Sequence, residues 1–278
     1  MQILRRIFAK IERHSNPGIN WIKTLYFNFR ILPFNQAKKL PVLIYGKPRF
    51  NSLSGKIIFN CEIAKGLVKI NQAKPFSPCL QTINSQLNIC GTLIINGITN
   101  IGCGTKIVIN QGGVLELGRN SRITDFCNIG CYYKITIGDG SIITHRCQVM
   151  DTNYHFVLNI KKYSVSDNVR AVVIGKECWI ANTTTIAPGT VIPDNSIIGS
   201  NSLVNKDFST SGSYSLIAGI PAKVVAVGFT RIFNADTEDM LIHHFANHDQ
   251  MNYKFNVETD IKPIVGGVNI ESKHINNR

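Results

Sequence analysis

The stretch VIGKECWIANTTTIAPGTVIPDNSIIGSNSLVNKDF, residues 173–208, carries an aliphatic residue at every sixth position. These positions are Ile174, Ile180, Ile186, Ile192, Ile198 and Val204. The fourth residue after each of the first five is small: Cys178, Thr184, Thr190, Ser196 and Ser202. A period of six fits neither an α-helix nor a simple strand alternation, which repeat every ~3.6 and every ~2 residues. The stretch therefore indicates a repeat architecture.

The same pattern recurs upstream in two shorter runs. One contains Leu117, Ile123, Ile129 and Ile135 with Cys127 as a small member, and the other contains Ile137, Ile143 and Val149 with Ser141 and Cys147. A triangular solenoid accounts for this period, because one bulky aliphatic residue per face fills the axis and a small residue lets the chain turn each corner. The pattern predicts stacked coils of about eighteen residues with structural roles for Cys127, Cys147 and Cys178.

The predicted corners have a composition suited to tight turns. The segments IGDGS, PDNS and GSNS, at 137–141, 193–196 and 199–202, contain Gly, Asn and Asp, which tolerate left-handed backbone angles. The chain of 278 residues is 44% hydrophobic, which is enough for a real core. Eight cysteines without a CxxC pair or a signal peptide indicate reduced thiols and a cytoplasmic location.

The segment IGKECWIANTTTIAPGTVIPDNSIIGSNSLVNKD, together with AGIPAKVV at 218–225, resembles the hexapeptide-repeat acyltransferases. It looks like the C-terminal signature of the acetyl-CoA-dependent sugar O-acetyltransferases, including the galactoside, maltose and capsular-polysaccharide enzymes. The resemblance implies an all-β solenoid, a left-handed parallel β-helix, with its handedness taken from the family alone. The match is clear over residues 89–228, weaker over 55–88, and limited to some capsular enzymes over 1–54.

The repeat is interrupted once, between Val149 and Ile174. These residues lie 25 positions apart, seven more than one coil, so we expect a loop to leave the prism. The segment DTNYHF, residues 151–156, stands where this loop begins. Chemistry is commonly placed where a repetitive scaffold is broken. In the family resembled, the catalytic histidine lies in such a loop 24 residues before a tryptophan, and here His155 precedes Trp179 by 24.

These residues suggest an acetyl transfer with His155 as general base. A sugar hydroxyl must lose its proton as it attacks a thioester, and imidazole is suited to accept that proton at neutral pH. The tetrahedral intermediate needs a donor at its oxyanion, and the resemblance assigns this to the backbone N–H of Asn182. Asp151, Asn153 or a loop carbonyl would orient the imidazole, and the sequence does not choose among them. Asp151 and Asn153 are also candidates for binding the acceptor.

Acetyl-CoA is the expected co-substrate, and no metal is expected. By resemblance, Trp179 flanks the pantetheine arm, the backbones of Asn182 and Ser200 bond its amides, and Lys206 and Lys223 meet the phosphates. The chain departs from the family pattern at Ala181, where glycine is usual, and at Ser200, where alanine is usual. The resemblance also implies a homotrimer with active sites between neighbouring subunits.

The ends of the chain differ in character from the repeat. Residues 1–56 contain eleven Lys and Arg but a single acidic residue, Glu12, so they supply +10 of the net charge of +13. Residues 1–54 are therefore predicted to form a basic amphipathic segment. This segment either lies on the anionic inner face of the cell membrane or caps the solenoid. We expect the β-helix over 55–228, and a short helix capped by Asp236 followed by a polar tail over 229–278.

Three other functions are alternatives to acetyl transfer onto a hydroxyl. An N-acetyltransferase acting on a nucleotide-linked or lipid-linked amino sugar would use the same cofactor wall. A metal-dependent lyase resembling the γ-class carbonic anhydrases needs three converging histidines, and the predicted solenoid holds only His145 and His155. The histidines at 243, 244 and 248 are better explained as a solvated helix face. A non-catalytic solenoid or a nucleic-acid binder would leave the spacing of His155 and Trp179 unexplained, so no nucleic-acid partner is expected.

Overall fold

The computed structural model describes residues 18–72, 83–248 and 251–255. Contacts divide the chain after Phe229 into a large unit and a small C-terminal one. Nearly all strands of the large unit pair in parallel, because each strand pairs with the strand one full coil further along the chain. This produces a parallel β-helix with three faces.

The three faces are sheets of nine, seven and six strands. Sheet 1 contains β1 (Val42–Ile44), β4 (Val68–Ile70), β7 (Thr99–Ile101), β10 (Arg122–Ile123), β13 (Ile142–Ile143), β18 (Trp179–Ile180), β21 (Ile197–Ile198), β23 (Ser215–Gly219) and β24 (Ala222–Val227). Sheet 2 contains β2 (Arg49–Leu53), β5 (Gln86–Ile89), β8 (Lys106–Ile109), β11 (Asn128–Cys131), β14 (Gln148–Met150), β19 (Thr185–Ile186) and β22 (Leu203–Val204). Sheet 3 contains β3 (Lys56–Phe59), β6 (Thr92–Ile95), β9 (Val114–Leu117), β12 (Lys134–Ile137), β17 (Val172–Ile174) and β20 (Val191–Ile192). The strands β15 (Leu158–Asn159) and β16 (Ser164–Val165) form a separate antiparallel hairpin.

The length of a coil changes along the solenoid. Downstream, Ile174 pairs with Ile192, eighteen residues on, as the repeat predicts. Upstream, Leu117 pairs with Ile137 at a separation of twenty, and Ile95 pairs with Leu117 at twenty-two. The prediction of eighteen-residue coils is therefore wrong for the upstream part, where longer corners add residues between strands that remain in register.

The core has the composition that the repeat predicts. The side chains at all six aliphatic positions of the downstream run are at most 1% exposed. The small corner residues are buried as well, and their polar atoms bond to backbone carbonyls. The thiol of Cys178, for example, donates to the carbonyl of Pro193 across 3.2 Å. Cys127 and Cys147 are equally buried, which confirms the structural role predicted for the three cysteines.

The corners adopt the backbone angles that their composition favours. Gly140, Asn195 and Asn201, one in each of the three quoted corner segments, have φ of +70°, +58° and +56°. Some corners use other residues in the same conformation, among them Glu177 and Thr183 with φ of +51° and +59°. The left-handed position therefore belongs to the geometry of the corner, and its residue type is only biased toward Gly and Asn.

Helix α1 (Trp21–Ile31), followed by the short α2 (Phe34–Ala37), covers the free edge of β1. The amide of Asn28 donates to the carbonyl of Val42 across 2.7 Å, and its oxygen accepts the Val42 N–H at 3.2 Å. The hydroxyl of Thr24 accepts the Ile44 N–H at 3.0 Å. These buried side chains complete backbone groups that would otherwise lack partners at the end of the sheet. Helix α1 thus caps the solenoid, which is one of the two roles predicted for the N-terminal segment.

The solenoid begins earlier than residue 55, the boundary expected from the sequence. Val42 pairs in parallel with Val68, and Phe50 pairs with Leu87, so β1 and β2 already belong to sheets 1 and 2. The repeat is irregular in this first coil, and the pairing of β2 with β5 contains a register shift. That irregularity hides the first coil from a search for a strict period of six.

The C-terminal unit contains helix α3 (Ala235–Asn247). Its N-cap is Asn234, whose side-chain oxygen accepts the Thr237 N–H at 2.8 Å, whereas Asp236 lies in the first turn. The predicted cap at Asp236 is therefore wrong, because Asn234 is the residue placed to bond the third helical N–H. The first part of the predicted amphipathic segment, 1–17, and most of the predicted tail, 256–278, lie outside the described residues. Within the described part of the chain, no helix has the length and apolar character needed to cross a membrane.

Candidate active site

The loop that interrupts the repeat leaves the edge between sheets 2 and 3. The strands β14 and β17, which flank it, are consecutive sides of one coil. Across the loop, Ile137 pairs with Ile174 and Ile143 pairs with Ile180, so paired residues lie thirty-seven positions apart instead of eighteen. The loop therefore adds nineteen residues to a single coil. The estimate of seven is wrong because it assumed that a whole coil lies between Val149 and Ile174.

Asp151 fixes the base of this loop. Its side chain is fully buried, and its two carboxylate oxygens accept the backbone N–H groups of Tyr132 and Tyr133, each at 2.8 Å. The carbonyl of Asp151 accepts the Arg170 N–H at 2.8 Å, which joins the two ends of the loop. The carboxylate therefore faces into the wall. Both oxygens of Asp151, a candidate for orienting His155 or binding the acceptor, thus bond backbone groups of the preceding coil.

Tyr154 packs the start of the loop against the wall. Its ring meets the ring of Tyr132 edge-on, with centroids 5.2 Å apart. Gly130 leaves the space for this contact, since a Cβ there would lie 3.2 Å from the Tyr154 hydroxyl and 2.9 Å from the Met150 methyl. Burial, followed by the neighbouring Tyr132, raises the pKa of Tyr154 above its ordinary value. With φ of +61°, Tyr154 turns the chain outward just before His155.

His155 projects from the loop into solvent. Its backbone N–H donates to the carbonyl of Asn153 across 2.7 Å, and its side chain is exposed. Within the described residues, the imidazole has no hydrogen-bond partner. Both ring nitrogens are therefore available for hydrogen bonds, one to a substrate and the other to an acceptor group that orients the ring.

A groove of about 470 Å³ runs along the loop beside His155. Its lining is mostly polar and comes from both strands of the hairpin and from the loop ends: Asn153, His155, Val157, Asn159, Lys162, Ser164, Ser166, Asp167, Asn168 and Arg170. Amide, hydroxyl and charged groups of this kind suit a ligand with many hydroxyl groups. The histidine predicted from the sequence thus lies in a groove, together with the predicted Asn153.

The groove contains two cations that the sequence reading did not single out. Neither Lys162 nor Arg170 forms an ion pair with any residue that the structure describes. The Arg170 stem runs past Gly189, where a Cβ would lie 3.5 Å from its Cδ. The carboxylate of Asp167 accepts the Val169 N–H at 3.2 Å, which gives it a local partner. The sequence could have indicated these cations, because two adjacent lysines and an arginine occur within the inserted loop.

The residues predicted to hold the coenzyme arm lie on another edge, between sheets 1 and 2. Trp179 is part of β18 and is partly exposed, and Asn182 follows β18 at the corner. One coil further on, the carbonyl of Asn182 accepts the Asn201 N–H at 3.0 Å, and the Thr183 hydroxyl bonds the Asn201 side chain. Ser200 is exposed in the same stack of corners. The repeat therefore places these backbone groups one above the other along a single edge.

The two predicted phosphate-binding lysines are both exposed but lie apart. Lys206 follows β22 at the edge between sheets 2 and 3, with its Nζ 4.9 Å from the centre of the Phe208 ring. Lys223 lies on β24, the last strand of sheet 1, and pairs with Ala218. A cis peptide bond joins Ile220 to Pro221 in the turn between β23 and β24. Within one chain, the predicted site residues thus fall into groups on different edges.

The described part of the chain holds no cluster of three or more His, Cys, Asp or Glu side chains arranged to bind a metal. On α3, the ring of His244 stacks on the ring of His248 at 4.5 Å and meets Tyr253 edge-on at 4.8 Å. Both histidines belong to the helix face that we predicted from the sequence to be solvated.

Residues 171–206 match the family model described as bacterial transferase hexapeptide (six repeats). This segment contains most of the stretch that carries the resemblance to hexapeptide-repeat acyltransferases, and the match confirms that resemblance. No curated protein matches the sequence.

The chain is similar to several solved structures. The polysialic-acid-specific acetyltransferase NeuO is 19% identical over 74% of this chain and 94% of its own, with a TM-score of 0.50. The polysialic acid O-acetyltransferase OatWY is 22% identical over 69% of this chain and 85% of its own, with a TM-score of 0.37. A hexapeptide-repeat acetyltransferase from Vibrio cholerae O1 biovar El Tor, crystallised with acetyl coenzyme A, is 23% identical over 41% of this chain and 60% of its own, with a TM-score of 0.35. Together with the strand topology, the first of these confirms the predicted left-handed parallel β-helix.

Proposed function

We propose that this chain is an acyltransferase that moves an acetyl group from acetyl-CoA to a hydroxyl of a sugar or surface glycan. The observation that carries the proposal is the position of His155. An exposed imidazole without a partner in the described residues lies in a polar groove, on the loop that interrupts the hexapeptide repeat between β14 and β17. A general base needs this freedom to approach the proton that it removes.

The proposed reaction uses few groups. The imidazole of His155 takes the proton from the acceptor hydroxyl as its oxygen attacks the thioester carbonyl carbon, and the carbonyl π electrons move to oxygen. The backbone N–H of Asn182 is proposed to bond this oxyanion. Collapse of the tetrahedral intermediate breaks the carbon–sulfur bond, and the imidazolium returns the proton to the departing thiolate. No covalent enzyme intermediate forms.

This mechanism requires two copies of the chain at each site, because His155 and Asn182 lie on different edges of one prism. The inserted hairpin supports such an arrangement. Its tip exposes large apolar side chains, including Val157, Ile160 and Tyr163, which are 73–86% exposed in the isolated chain. A neighbouring prism would cover them and bring its own edge between sheets 1 and 2 to the groove. We therefore propose a homotrimer with three shared sites.

The groove also favours an acceptor that carries an acidic group. Lys162 and Arg170 lack ion-pair partners in the described part of the chain, whereas the nearby Asp167 has a backbone partner. The arginine fork matches the geometry of a carboxylate or phosphate. Acidic polysaccharides and nucleotide-linked or lipid-linked sugars all offer such a group close to free hydroxyls.

The coenzyme would lie along the other edge. Trp179 and the stacked backbones of Asn182 and Ser200 are proposed to follow the pantetheine arm, since groups that repeat at each coil suit an extended ligand. Lys223 of the same chain, and Lys206 of the neighbouring chain that supplies His155, are proposed to bind the phosphates as mobile point charges. This arrangement leaves the groove beside His155 for the acceptor.

The test is acetyl transfer by the full-length protein, with His155→Ala as the blank. Release of the coenzyme A thiol would be followed with neutral glycosides, acidic glycans and amino sugars as acceptors. We expect His155-dependent release with an acidic glycan and a product whose acetyl group is lost in mild alkali, as an ester requires. An alkali-stable product formed on an amino sugar alone would favour N-acetylation. Equal release by both proteins with every acceptor would refute the proposal.

A further inference from the structure

Helix α1 has apolar residues on two opposite faces. On the inner face, Phe27 and Ile31 are buried against the solenoid. The outer face is as apolar as the inner one, yet it is exposed. Its members are 46–82% accessible: Trp21, Ile22, Leu25, Tyr26 and Phe29. Their spacing of one and four residues gathers them into one stripe along the helix.

The stripe continues beyond α1. The ring of Phe34, at the start of α2, lies 5.9 Å from the ring of Phe29, and the ring of Tyr26 stacks on Phe50 at 6.2 Å. These residues form one patch, here called the α1 outer face and defined as Trp21, Ile22, Leu25, Tyr26, Phe29 and Phe34. Contiguous apolar patches of this kind mark interaction sites on soluble proteins.

Rotation of the helix cannot hide this face. Thr24 and Asn28 hold α1 to β1 through buried hydrogen bonds to Val42 and Ile44, at 2.7–3.2 Å. Turning the outer face inward would break these bonds and leave backbone groups of the sheet edge without partners. The same contacts that make α1 a cap therefore keep its aromatic side chains on the surface.

The segment that carries the α1 outer face has charges of one sign. No Asp or Glu occurs between residues 18 and 61. Arg30, Lys38, Lys39 and Lys65 are exposed near α1 and α2, and the Nζ of Lys65 lies 5.2 Å from the centre of the Trp21 ring. Residues 1–17, which lead into the helix, add four basic residues and one acidic residue in sequence. A partner for this face must therefore have an apolar region that these side chains can enter, with negative charges around it.

We propose that the α1 outer face docks on an anionic membrane surface. Trp and Tyr occupy the headgroup level, aliphatic and Phe side chains enter the acyl boundary, and the surrounding Lys and Arg attract anionic headgroups. An acidic protein surface meets the charge requirement but offers no depth for side chains as exposed as Ile22 and Phe34. Membrane docking would place the solenoid beside lipid-linked acceptors. It does not depend on the proposed acetyl transfer.

The test is vesicle flotation of the full-length protein with two surface variants. Ile22→Asn/Phe29→Asn removes apolar insertion, and Lys38→Gln/Lys39→Gln removes charge. The matched control is Val225→Asn/Val227→Asn, which changes two exposed aliphatic residues on β24, at the end of sheet 1 opposite β1 and α1. We expect wild type and control to float with vesicles of phosphatidylcholine and phosphatidylserine but not with phosphatidylcholine alone. Partitioning of the apolar variant should fall about tenfold or more, and that of the charge variant should fall mainly at low salt.

Each other outcome counts against membrane docking. If wild type fails to float with anionic vesicles, the α1 outer face does not dock on membranes and the proposal is refuted. Equal flotation of all variants places the contact elsewhere. A lower oligomer mass for Ile22→Asn/Phe29→Asn in light scattering, without vesicles, identifies the face as a contact between copies of the chain. Unchanged circular dichroism and thermal unfolding of each variant establish that the fold is intact.

Discussion

His155 and Asn182 stand on different edges of the same prism. His155 projects from the loop between β14 and β17, at the edge between sheets 2 and 3, whereas Asn182 follows β18 at the edge between sheets 1 and 2. The proposed base and the proposed oxyanion donor must act on one tetrahedral intermediate. A complete site therefore requires the histidine of one chain and the wall of another.

Mixed oligomers test this arrangement. His155→Ala chains retain the wall, and Trp179→Ala chains retain the base, so coexpression of two inactive variants should rebuild some sites. In a trimer that contains both variants, one of the three sites combines the intact base with the intact wall, so activity should return to about a third of wild type. The measurement is thiol release by the mixed oligomer, separated by two different affinity tags. Activity no higher than that of the parent variants would place both residues of a site in one chain.

A second prediction concerns the unpaired cations in the groove. Arg170→Gln should raise KM for an acidic acceptor about tenfold or more, because it removes a charge-assisted bidentate contact, while KM for acetyl-CoA stays unchanged. Lys162→Gln should have a smaller effect in the same direction. Lys161→Gln is the matched control, since this neighbouring exposed lysine does not line the groove. Equal effects of all three changes on the KM of both substrates would contradict the proposal that the acceptor carries an acidic group.

The repeat made the solenoid predictable because its signal is local. A bulky residue at every sixth position and a small residue at each corner follow directly from the three-sided cross-section, and Ile180 and Cys178 occupy the predicted places. Coil length was less predictable. The corner at Tyr132 and Tyr133 contains extra residues, but the strands that it joins keep their pairing. The sequence separation of paired residues therefore departs from eighteen although the sheets remain in register.

The site was predictable in part. The break in the repeat located the loop and His155, but the partners of Asp151 could not be inferred from its neighbours in sequence. Its carboxylate bonds two backbone N–H groups that lie eighteen and nineteen residues earlier, in the longer corner of the preceding coil. Likewise, Arg170 reaches the groove only because the loop ends meet at Asp151. Such contacts depend on register between coils, which sequence spacing alone does not supply.

Asp151 provides a third prediction. Asp151→Asn keeps the size of the side chain but replaces one acceptor oxygen with an amide that cannot bond the facing N–H. The unpaired buried donor should lower the free energy of unfolding by roughly 1–3 kcal/mol and loosen the loop base. We expect a lower Tm and a lower kcat, with trypsin cutting the loop at Lys161 or Lys162 faster than in wild type. Asp167→Asn, on the exposed part of the same loop, is the control. An unchanged Tm would mean that the carboxylate does not hold the loop.

Thiol reactivity gives a fourth prediction, about the solenoid itself. Burial raises the pKa of the Cys178 thiol to about 12, whereas hydrogen bonds from the Ser52 and Ser54 hydroxyls lower the pKa of Cys90. At pH 8 the partly exposed Cys90 therefore has more thiolate and should react with iodoacetamide well before Cys178. Peptide mapping by mass spectrometry after brief labelling measures the order, and urea should abolish it. Early labelling of Cys178 in the native protein would contradict the proposed packing of the corner cysteines.

The most direct prediction concerns His155. Because its side chain is exposed and has no partner within the described residues, His155→Ala should leave Tm, oligomer mass and binding of acetyl-CoA unchanged. If the imidazole removes the acceptor proton, kcat should fall by roughly 10² to 10⁴, the usual contribution of a positioned general base, with little change in KM for acetyl-CoA. His243→Ala is the matched control, since His243 is an exposed histidine of α3, in the C-terminal unit. Rescue of His155→Ala by added imidazole would identify the lost function as proton transfer. Near-normal turnover of this variant on an accepted glycan would instead assign the base to another group.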